Sequence, residues 1–464
     1  MPVCYAELKG PKVLPILGNL HQIQLSKLHK QLEDWSSEFG PVFKLKLSTN
    51  TTVVSDPEII NQILRDRPET FIRMKKMDGV LEEAGVKGVF NVEGESWKMH
   101  RKLVAKGLDV GHQQQFFPSM IISLNRLFRK WNAHAIKDES FDVQKDLMRF
   151  TVDVTTTLAF GYEMNTIEND GDVIQQELEK IFPVIFSRIN APVPYWRYFK
   201  LKKDRSFDEA LLKINGLVDQ FIHKAQNKLI KNPELKEKPT NFLEAILVAS
   251  ESDGKVSMED IRSNLITLLL AGEDTTAHTV AWIIYLISGN KEIQKKIQKE
   301  VDELIQGNIA NDYNLVNNEF KYITAVAMEA MRLKPVAPLL LFESKRDVEI
   351  KGYLFKKGDT ILTHSRFAGL QPEYFVNPES FNPERWLIKG RKRDGHNEDA
   401  FTPFGGGPRF CPGRNLAFLE IKLLLSMLMK NFDVEIVTPA NQVEEKMAFT
   451  MMASPYNIKL KPRL

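Results

Sequence analysis

Apolar residues along this chain recur mostly at spacings of three and four, the mark of a helix with one buried face. That spacing predicts helices over 116–135, 141–160, 206–228, 257–288, 291–306, 323–333 and 415–430. Period-two alternation is confined to short segments. Residues 42–47 followed by 51–54 read as a hairpin, and 348–354 and 360–363 read as further strands around a Lys357-Gly358-Asp359 turn. The expected fold is mainly α with small β-sheets, its strands gathered near 40–70 and 340–365. Loops are expected at Ala191-Pro192-Val193-Pro194, at 232–240 and at 389–398, the last a charge-rich, solvated stretch. No internal repeat is present.

The segment 257–288 stands apart. Ser257 followed by Asp260 gives a start like a capping box, and Ser288-Gly289-Asn290 stops it. About thirty residues at 1.5 Å each span roughly 45 Å, enough to cross a domain. The helix is apolar on most sides, so it belongs in the interior. Yet its middle carries Glu273, Asp274, Thr275 and Thr276, and buried acids are costly unless paired or functional. Gly272 thins the helix at a cost of about 1 kcal/mol relative to Ala, which makes room beside a planar ligand. The adjacent carboxylate and hydroxyl of Asp274 and Thr275 can pass protons, and local opening of the helix at Thr275 would admit water and dioxygen. A Gly/Thr kink whose acids reach a polar cavity accounts for the same residues equally well.

The totals exclude several classes. With 464 residues, 27% charged, 43% hydrophobic and a net charge of +3, the chain is ordinary for a globular protein. No basic patch with interleaved aromatics points to nucleic acid. The length fits two or three domains or one large helical unit around a cofactor; the expectation here is a single domain over 1–464, and a monomer. Two cysteines, Cys4 and Cys411, rule out a disulfide framework and fit a reducing compartment. No Cys/His cluster has zinc spacing. The longest apolar run, near 265–271, falls short of the roughly 20 residues a membrane span needs. A cytoplasmic location follows, or a membrane-associated one if an anchor once preceded Met1.

The strongest local signal is 404–413, Phe-Gly-Gly-Gly-Pro-Arg-Phe-Cys-Pro-Gly. It puts one thiolate, Cys411, on a loop dense in glycine and proline, with Arg409 two residues before it and a helix after it. Those are the requirements of a thiolate-ligated haem. Gly407 allows positive φ and Gly413 close approach to the macrocycle. Arg409 can meet a propionate. Backbone N–H groups after Cys411 and the positive end of the next helix can keep the sulfur ionised. A buried structural cysteine is the plainer account of Cys411 alone, but not of the whole run.

Two further pairs recur at helical spacing. Glu329 and Arg332 share a face, Pro335 ends that helix, and Arg385 in Pro383-Glu384-Arg385-Trp386 can complete a buried ionic cluster. A surface ion pair is the commoner meaning of an isolated Glu-x-x-Arg. Trp97 and Arg101, four apart, can hold a second propionate, or form an aromatic–cation surface pair.

Taken together, these motifs resemble the cytochrome P-450 family. The family's Phe-x-x-Gly-x-Arg-x-Cys-x-Gly stands at 404–413, (Ala/Gly)-Gly-x-(Asp/Glu)-Thr-(Thr/Ser) at 271–276, Glu-x-x-Arg at 329–332 and Pro-Glu-Arg-Phe at 383–386, where Trp386 replaces Phe. Order and separation agree along essentially the whole chain, most closely with the eukaryotic-style subgroup that includes bacterial fatty-acid hydroxylases. The resemblance implies haem b with Cys411 as the axial iron ligand and a long central helix crossing over the haem. It implies Asp274 and Thr275 as the proton-delivery pair, Trp97, Arg101 and Arg409 as propionate contacts, and Phe404 as a shield for the thiolate. Two departures stand out. Gly369-Leu370-Gln371 replaces a frequent His-Arg-Asp, and Phe342-Glu343 stands where some members carry a propionate arginine, which shifts that duty to Arg101 and Arg409.

The implied activity is insertion of one oxygen atom from dioxygen into an apolar fatty acid, steroid or terpenoid. By the same resemblance Phe90, Leu268, Leu269, Ala271, Val336, Ala337, Leu339, Leu340, Met451 and Met452 face the substrate, although core packing explains each as well. Arg73, Lys75 and Lys76 can attract a carboxylate or stand as solvated charges. The aromatic-rich segment 182–199 can form a lid or touch a membrane surface. No electron-transfer module fits in the remaining length, so electrons come from a separate ferredoxin or flavoprotein reductase. Lys98, Lys102, Lys106, Arg391, Arg393 and Arg414 are the expected basic docking face. A peroxide-using or rearranging haem-thiolate enzyme is an alternative that the Asp274-Thr275 pair disfavours. A non-catalytic haem-binding sensor is another.

Overall fold

Val42 pairs with Val54 and Phe43 with Val53, so the hairpin expected over 42–54 forms between β1 (Val42–Lys46) and β2 (Asn50–Val54). The computed structural model describes residues 2–463 apart from 170–172, 254–255, 389, 391 and 394–395. The hairpin is one edge of a five-stranded sheet. With β3 (Phe71–Arg73), β4 (Leu339–Ser344) and β5 (Thr360–His364) its order is β1-β2-β5-β4-β3. The β2–β5 pair is parallel and the others are antiparallel. Side chains alternate across a strand. Val42, Val54 and Ile361 therefore enter one core beneath the helix Pro57–Arg65, while Phe43, Val53 and Leu362 enter another beneath Leu28–Phe39.

β4 falls in the strand-bearing stretch expected near 340–365, although Leu339-Leu340-Leu341-Phe342 is apolar on both faces and carries no alternation. The strand expected over 348–354 is instead a small hairpin, Val348–Ile350 against Tyr353–Phe355. Its turn is Lys351-Gly352, with φ of 50° and 79°, which suits a two-residue hairpin loop.

The expected helices form with shifted ends. They run Val110–Ile136, Val143–Phe160, Lys202–Lys231, Met258–Ser288, Lys291–Leu304, Lys321–Leu333 and Arg414–Asn431. Residues Ser140–Asp142 pair as a strand with Asn457–Pro462, so the second helix starts late. A helix over Val173–Asn190, with Pro183 inside it, had no clear signal in the sequence. The charge-rich loop over 389–398 lies partly outside the described residues.

The long helix Met258–Ser288 is the axis of the largest core. Its start is fixed as expected. Ser257 Oγ accepts from the Asp260 N–H at 3.1 Å, and Asp260 Oδ2 accepts from the Ser257 N–H at 2.9 Å. Gly272 does something other than make room for a planar ligand. A Cβ there would stand 2.8 Å from Thr155 Oγ1 on the helix Val143–Phe160, so the glycine permits close helix packing. Thr151 on the same neighbour donates to the Glu273 carbonyl at 3.0 Å. The helix is continuous through Thr275 rather than opened there.

Glu329 and Arg332 are fully buried, which decides between the two meanings of that pair. Arg332 donates to both carboxylate oxygens of Glu329 at 2.7 and 2.9 Å, and Arg385 adds a third bond at 3.0 Å. The Trp386 indole and the Asn382 N–H donate as well, at 2.8 and 2.9 Å. The remaining Arg332 donors reach the Gly369, Pro378 and Ser380 carbonyls. Every member is satisfied from within the protein, which marks the cluster as structural. Truncating one partner of such a cluster leaves the other charges buried, so Glu329→Ala should cost about 3–5 kcal/mol, read as a lower denaturation midpoint in urea.

Candidate active site

The cysteine loop is built by local contacts. The Cys411 N–H donates to the Phe404 carbonyl at 2.9 Å, closing residues 404–411 into a ring. Gly407 has φ of 62°, and a Cβ there would lie 2.2 Å from the Leu64 carbonyl. Its freedom and its smallness are both needed, here against the helix Pro57–Arg65. Gly413 is ordinary, with φ of −84° and a hypothetical Cβ 3.8 Å from the Cys411 sulfur. No protein atom demands glycine at that position. Phe404 packs on Phe418, ring centroids 5.4 Å apart.

Burial pushes the Cys411 thiol up, while N–H groups of Gly413 and Arg414 and the charge of Arg101 push it back. These are the first amides of the helix Arg414–Asn431, as expected. Arg101 is committed to this loop. It donates to the Phe410 carbonyl at 2.8 Å and lies over the Phe410 ring at 4.5 Å.

Arg409 lies elsewhere, over the Trp97 ring at 5.0 Å and 2.5 Å from Glu93. The same Glu93 oxygen is approached by Arg67 at 3.5 Å and by the Arg73 N–H at 3.1 Å. Arg73 is therefore not a solvated charge. It is buried, stacks on Phe90 at 3.9 Å and donates to the Phe90 carbonyl at 2.9 Å. Three buried guanidiniums meet two carboxylates, Glu93 and Asp78. Burial, then mutual repulsion, lowers Arg67 to about 9 and Arg73 to about 10. Burial also raises Asp78 to about 6. The Nε donors of Arg67 and Arg73 have no partner within the protein. A positive excess with orphaned donors, beside a thiolate loop, fits the two propionates of a haem. Trp97, Arg409, Arg73 and Arg67 are the residues able to hold them.

Sequence reasoning missed Arg67 and misread Arg73. The one available signal was the absent strand arginine at Phe342-Glu343. Arg73 on β3 stands in register with Phe342 on β4, and Arg67 lies over the Phe342 ring at 4.9 Å. Neighbouring segments supply the charge that β4 lacks.

The middle of the long helix borders an apolar cavity of about 300 Å³. Asp274, Thr275, Ala271, Phe90, Ala337, Leu339 and Leu340 line it. Leu268, Leu269, Val336, Met451 and Met452 do not. Leu268 and Leu269 are on another helical face, where Thr267 and Leu270 take the lining positions. Met451 lies in a hairpin of Glu445–Met447 against Met451–Ala453; it is fully buried and donates to the Val336 carbonyl, and the tip residues Phe449 and Thr450 reach the cavity instead. That hairpin is pinned by Glu445. Its carboxylate is held well below the usual range, against its own burial, by His29, Arg366 and Lys334.

Thr275 donates to the Ala271 carbonyl at 2.8 Å, and Thr450 donates to Asp274 Oδ2 at 3.4 Å. Burial pushes Asp274 up to about 6. Thr276 turns the other way, to Glu420 on the helix Arg414–Asn431, a buried carboxyl pushed up to about 8 that sequence reasoning did not single out. The polar run at 273–276 thus splits between the cavity and the core.

A family model described as cytochrome P450 matches residues 8–460. Among curated proteins, the chain is 27% identical over 455 residues to protein LUTEIN DEFICIENT 5, chloroplastic, of Arabidopsis thaliana, spanning 94% of this chain and 74% of that one. It is 28% identical over 458 residues to tabersonine 16-hydroxylase 2 of Catharanthus roseus, spanning 94% and 87%. It is 28% identical over 396 residues to cytochrome P450 4V2 of Homo sapiens, spanning 81% and 74%.

If Arg73 holds a propionate, Arg73→Gln should release haem to apomyoglobin about 10–100-fold faster, the equivalent of one lost charged hydrogen bond. Arg73→Lys should fall between. An unchanged release rate would remove Arg73 from the haem contacts.

Proposed function

This chain belongs to the cytochrome P450 family and is a haem-thiolate monooxygenase, and we propose that it oxidises an apolar fatty acid, steroid or terpenoid held against Asp274 and Thr275. The supporting observation is that this acid–alcohol pair and a wall of leucine, isoleucine, phenylalanine and methionine border one cavity. When bound through Cys411, the haem supplies dioxygen activation, with the thiolate favouring oxygen–oxygen cleavage. The chain's own residues do the rest. The apolar wall orients the substrate and excludes water. Asp274, bonded by Thr450, takes up protons that enter from solvent, and the Thr275 hydroxyl, now on the Ala271 carbonyl, hands them on into the cavity. Gly413 and Arg414 hold the thiolate charge, and the whole chain acts as one domain around the haem.

Electrons come from a separate ferredoxin or flavoprotein reductase. Lys102 and Lys106 are exposed on the helix Gly94–Gly107 that carries Arg101, Arg414 is exposed at the start of the helix after the cysteine loop, and Lys98, paired with Glu95 at 2.6 Å, lies on the same helix as Arg101. Arg391 and the side chain of Arg393 lie outside the described residues. Among the described residues no helix is long and apolar enough to cross a membrane. Exposed Val193, Tyr198, Phe199 and Leu201, set among lysines, suit peripheral contact with a membrane surface.

Thr275→Ala should divert reducing equivalents to hydrogen peroxide, with product per reductant falling roughly tenfold or more. Unchanged product yield would remove that role. Asp274 is protonated below about 6 and ionised above it. Product formation should therefore decline on the alkaline side of that point. Asp274→Asn should flatten this limb and slow turnover on the order of 10²-fold. Reduction by the partner protein should slow as salt rises; salt-independent rates would count against the basic face.

A further inference from the structure

A buried amide outside the haem cluster joins the long helix to one wall of the cavity. Asn264 lies on the helix Met258–Ser288, ahead of the residues that border the cavity. Its Oδ1 accepts from the Val89 N–H at 3.0 Å. Its Nδ2 donates to the Asp260 carbonyl at 2.9 Å and meets His100 Nδ1 at 2.7 Å. A backbone N–H can only donate and a carbonyl can only accept, so these two groups fix which way round the amide stands. Nδ2 therefore points a proton at His100 Nδ1, and that nitrogen must be bare. The imidazole proton is then on Nε2, 3.3 Å from Asp260 Oδ1. Burial lowers the pKa of His100, against the pull of Asp260, which agrees with a neutral ring. The fold has thus selected one tautomer of one buried histidine, and through it has used every donor of Asn264.

The loop held by Asn264 carries part of the cavity wall. Gly88 lies close on the long helix; a Cβ there would stand 2.7 Å from Thr267 Oγ1 and 2.9 Å from Asn264 Oδ1. Val89 gives its N–H to Asn264, and the next residue is Phe90, which lines the cavity. Arg73 grips Phe90 from another side, at the carbonyl and over the ring. The chain at 89–90 is therefore tied on one side to the long helix and on the other to β3. Asn264 and His100 are not among the lining residues themselves. Any influence they have on a bound molecule passes through the loop.

We propose that Asn264, oriented by neutral His100, fixes Phe90 in the cavity wall and so sets how bulky a substrate the cavity admits. This rests on the monooxygenase reading of the same cavity. Asn264 and His100 are positioning residues. Leucine at 264 would keep the size of the side chain but leave the Val89 N–H buried without an acceptor. The loop would then hang on Arg73 alone, and the Phe90 ring could move aside.

The test measures binding of methyl dodecanoate, which is slim, and progesterone, which is bulky, to the haem-loaded protein by the low- to high-spin Soret shift. Phe90→Ala should raise the steroid-to-ester affinity ratio roughly tenfold, and Asn264→Leu should raise it by a similar factor. The double variant should match Phe90→Ala alone, because both changes act on one ring; a general loss of stability has no reason to be cancelled in this way. His100→Phe strands one Asn264 donor in the core and should move the ratio in the same direction by roughly threefold. It carries the same test if Asn264→Leu does not fold. A wild-type ratio in Asn264→Leu or in His100→Phe, or fully additive effects in the double variant, would overturn the positioning role. The underlying reading fails separately. An unchanged ratio in Phe90→Ala, or reduced, carbon-monoxide-treated protein without the red-shifted thiolate band, would sink both, whereas a normal band and a shifted Phe90→Ala with Asn264→Leu unmoved would remove the positioning role alone.

Discussion

A negative charge on a buried sulfur is the constraint around which this molecule is arranged. Burial alone would keep Cys411 protonated, and a thiol is a poor ligand and a poor electron donor. The chain answers with dipoles and one cation rather than with a neighbouring base. The amides of Gly413 and Arg414 point at the sulfur because a helix starts there, and Arg101 is held near by the Phe410 carbonyl. The Phe404–Cys411 backbone bond and the fit of Gly407 against Leu64 fix the loop that makes this possible. These contacts offset part of that burial cost, and they gain strength because the site excludes water.

The molecule holds two arginine-rich clusters that differ in one respect. Around Glu329, every carboxylate lone pair and guanidinium arm meets a protein partner. Such a closed network rigidifies and does nothing else. Around Glu93, cations outnumber carboxylates and the Nε donors of Arg67 and Arg73 are left over. Incomplete satisfaction beside a cofactor loop is what a binding site for an anionic cofactor looks like before the cofactor's own charges are counted.

The long helix reconciles a structural and a chemical demand on one short stretch. Gly272 serves packing against Thr155, Thr276 serves Glu420, and Asp274 with Thr275 serves the cavity. Successive positions on a helix point roughly 100° apart, so neighbours in this stretch meet different surroundings. A polar run that looks anomalous in the sequence is therefore several independent contacts.

Much of the site was legible in the sequence because it is contiguous. The loop 404–413 carries its thiolate, its arginine and its positive-φ glycine within ten residues, so local spacing alone points to a haem. Helical periodicity also fixed the long helix and the Glu329–Arg332 face. What spacing cannot carry is register between segments far apart in the chain. Arg73 and Arg67 join the site because β3 lies beside β4, over two hundred and fifty residues away in the chain. Whether Leu268 or Leu270, Met451 or Thr450, meets the cavity depends on helix phase and on how a hairpin is pinned by Glu445. The sequence by itself determined which chemistry the chain can hold; tertiary structure decided which side chains surround it, because burial and long-range pairing exist only once distant segments meet.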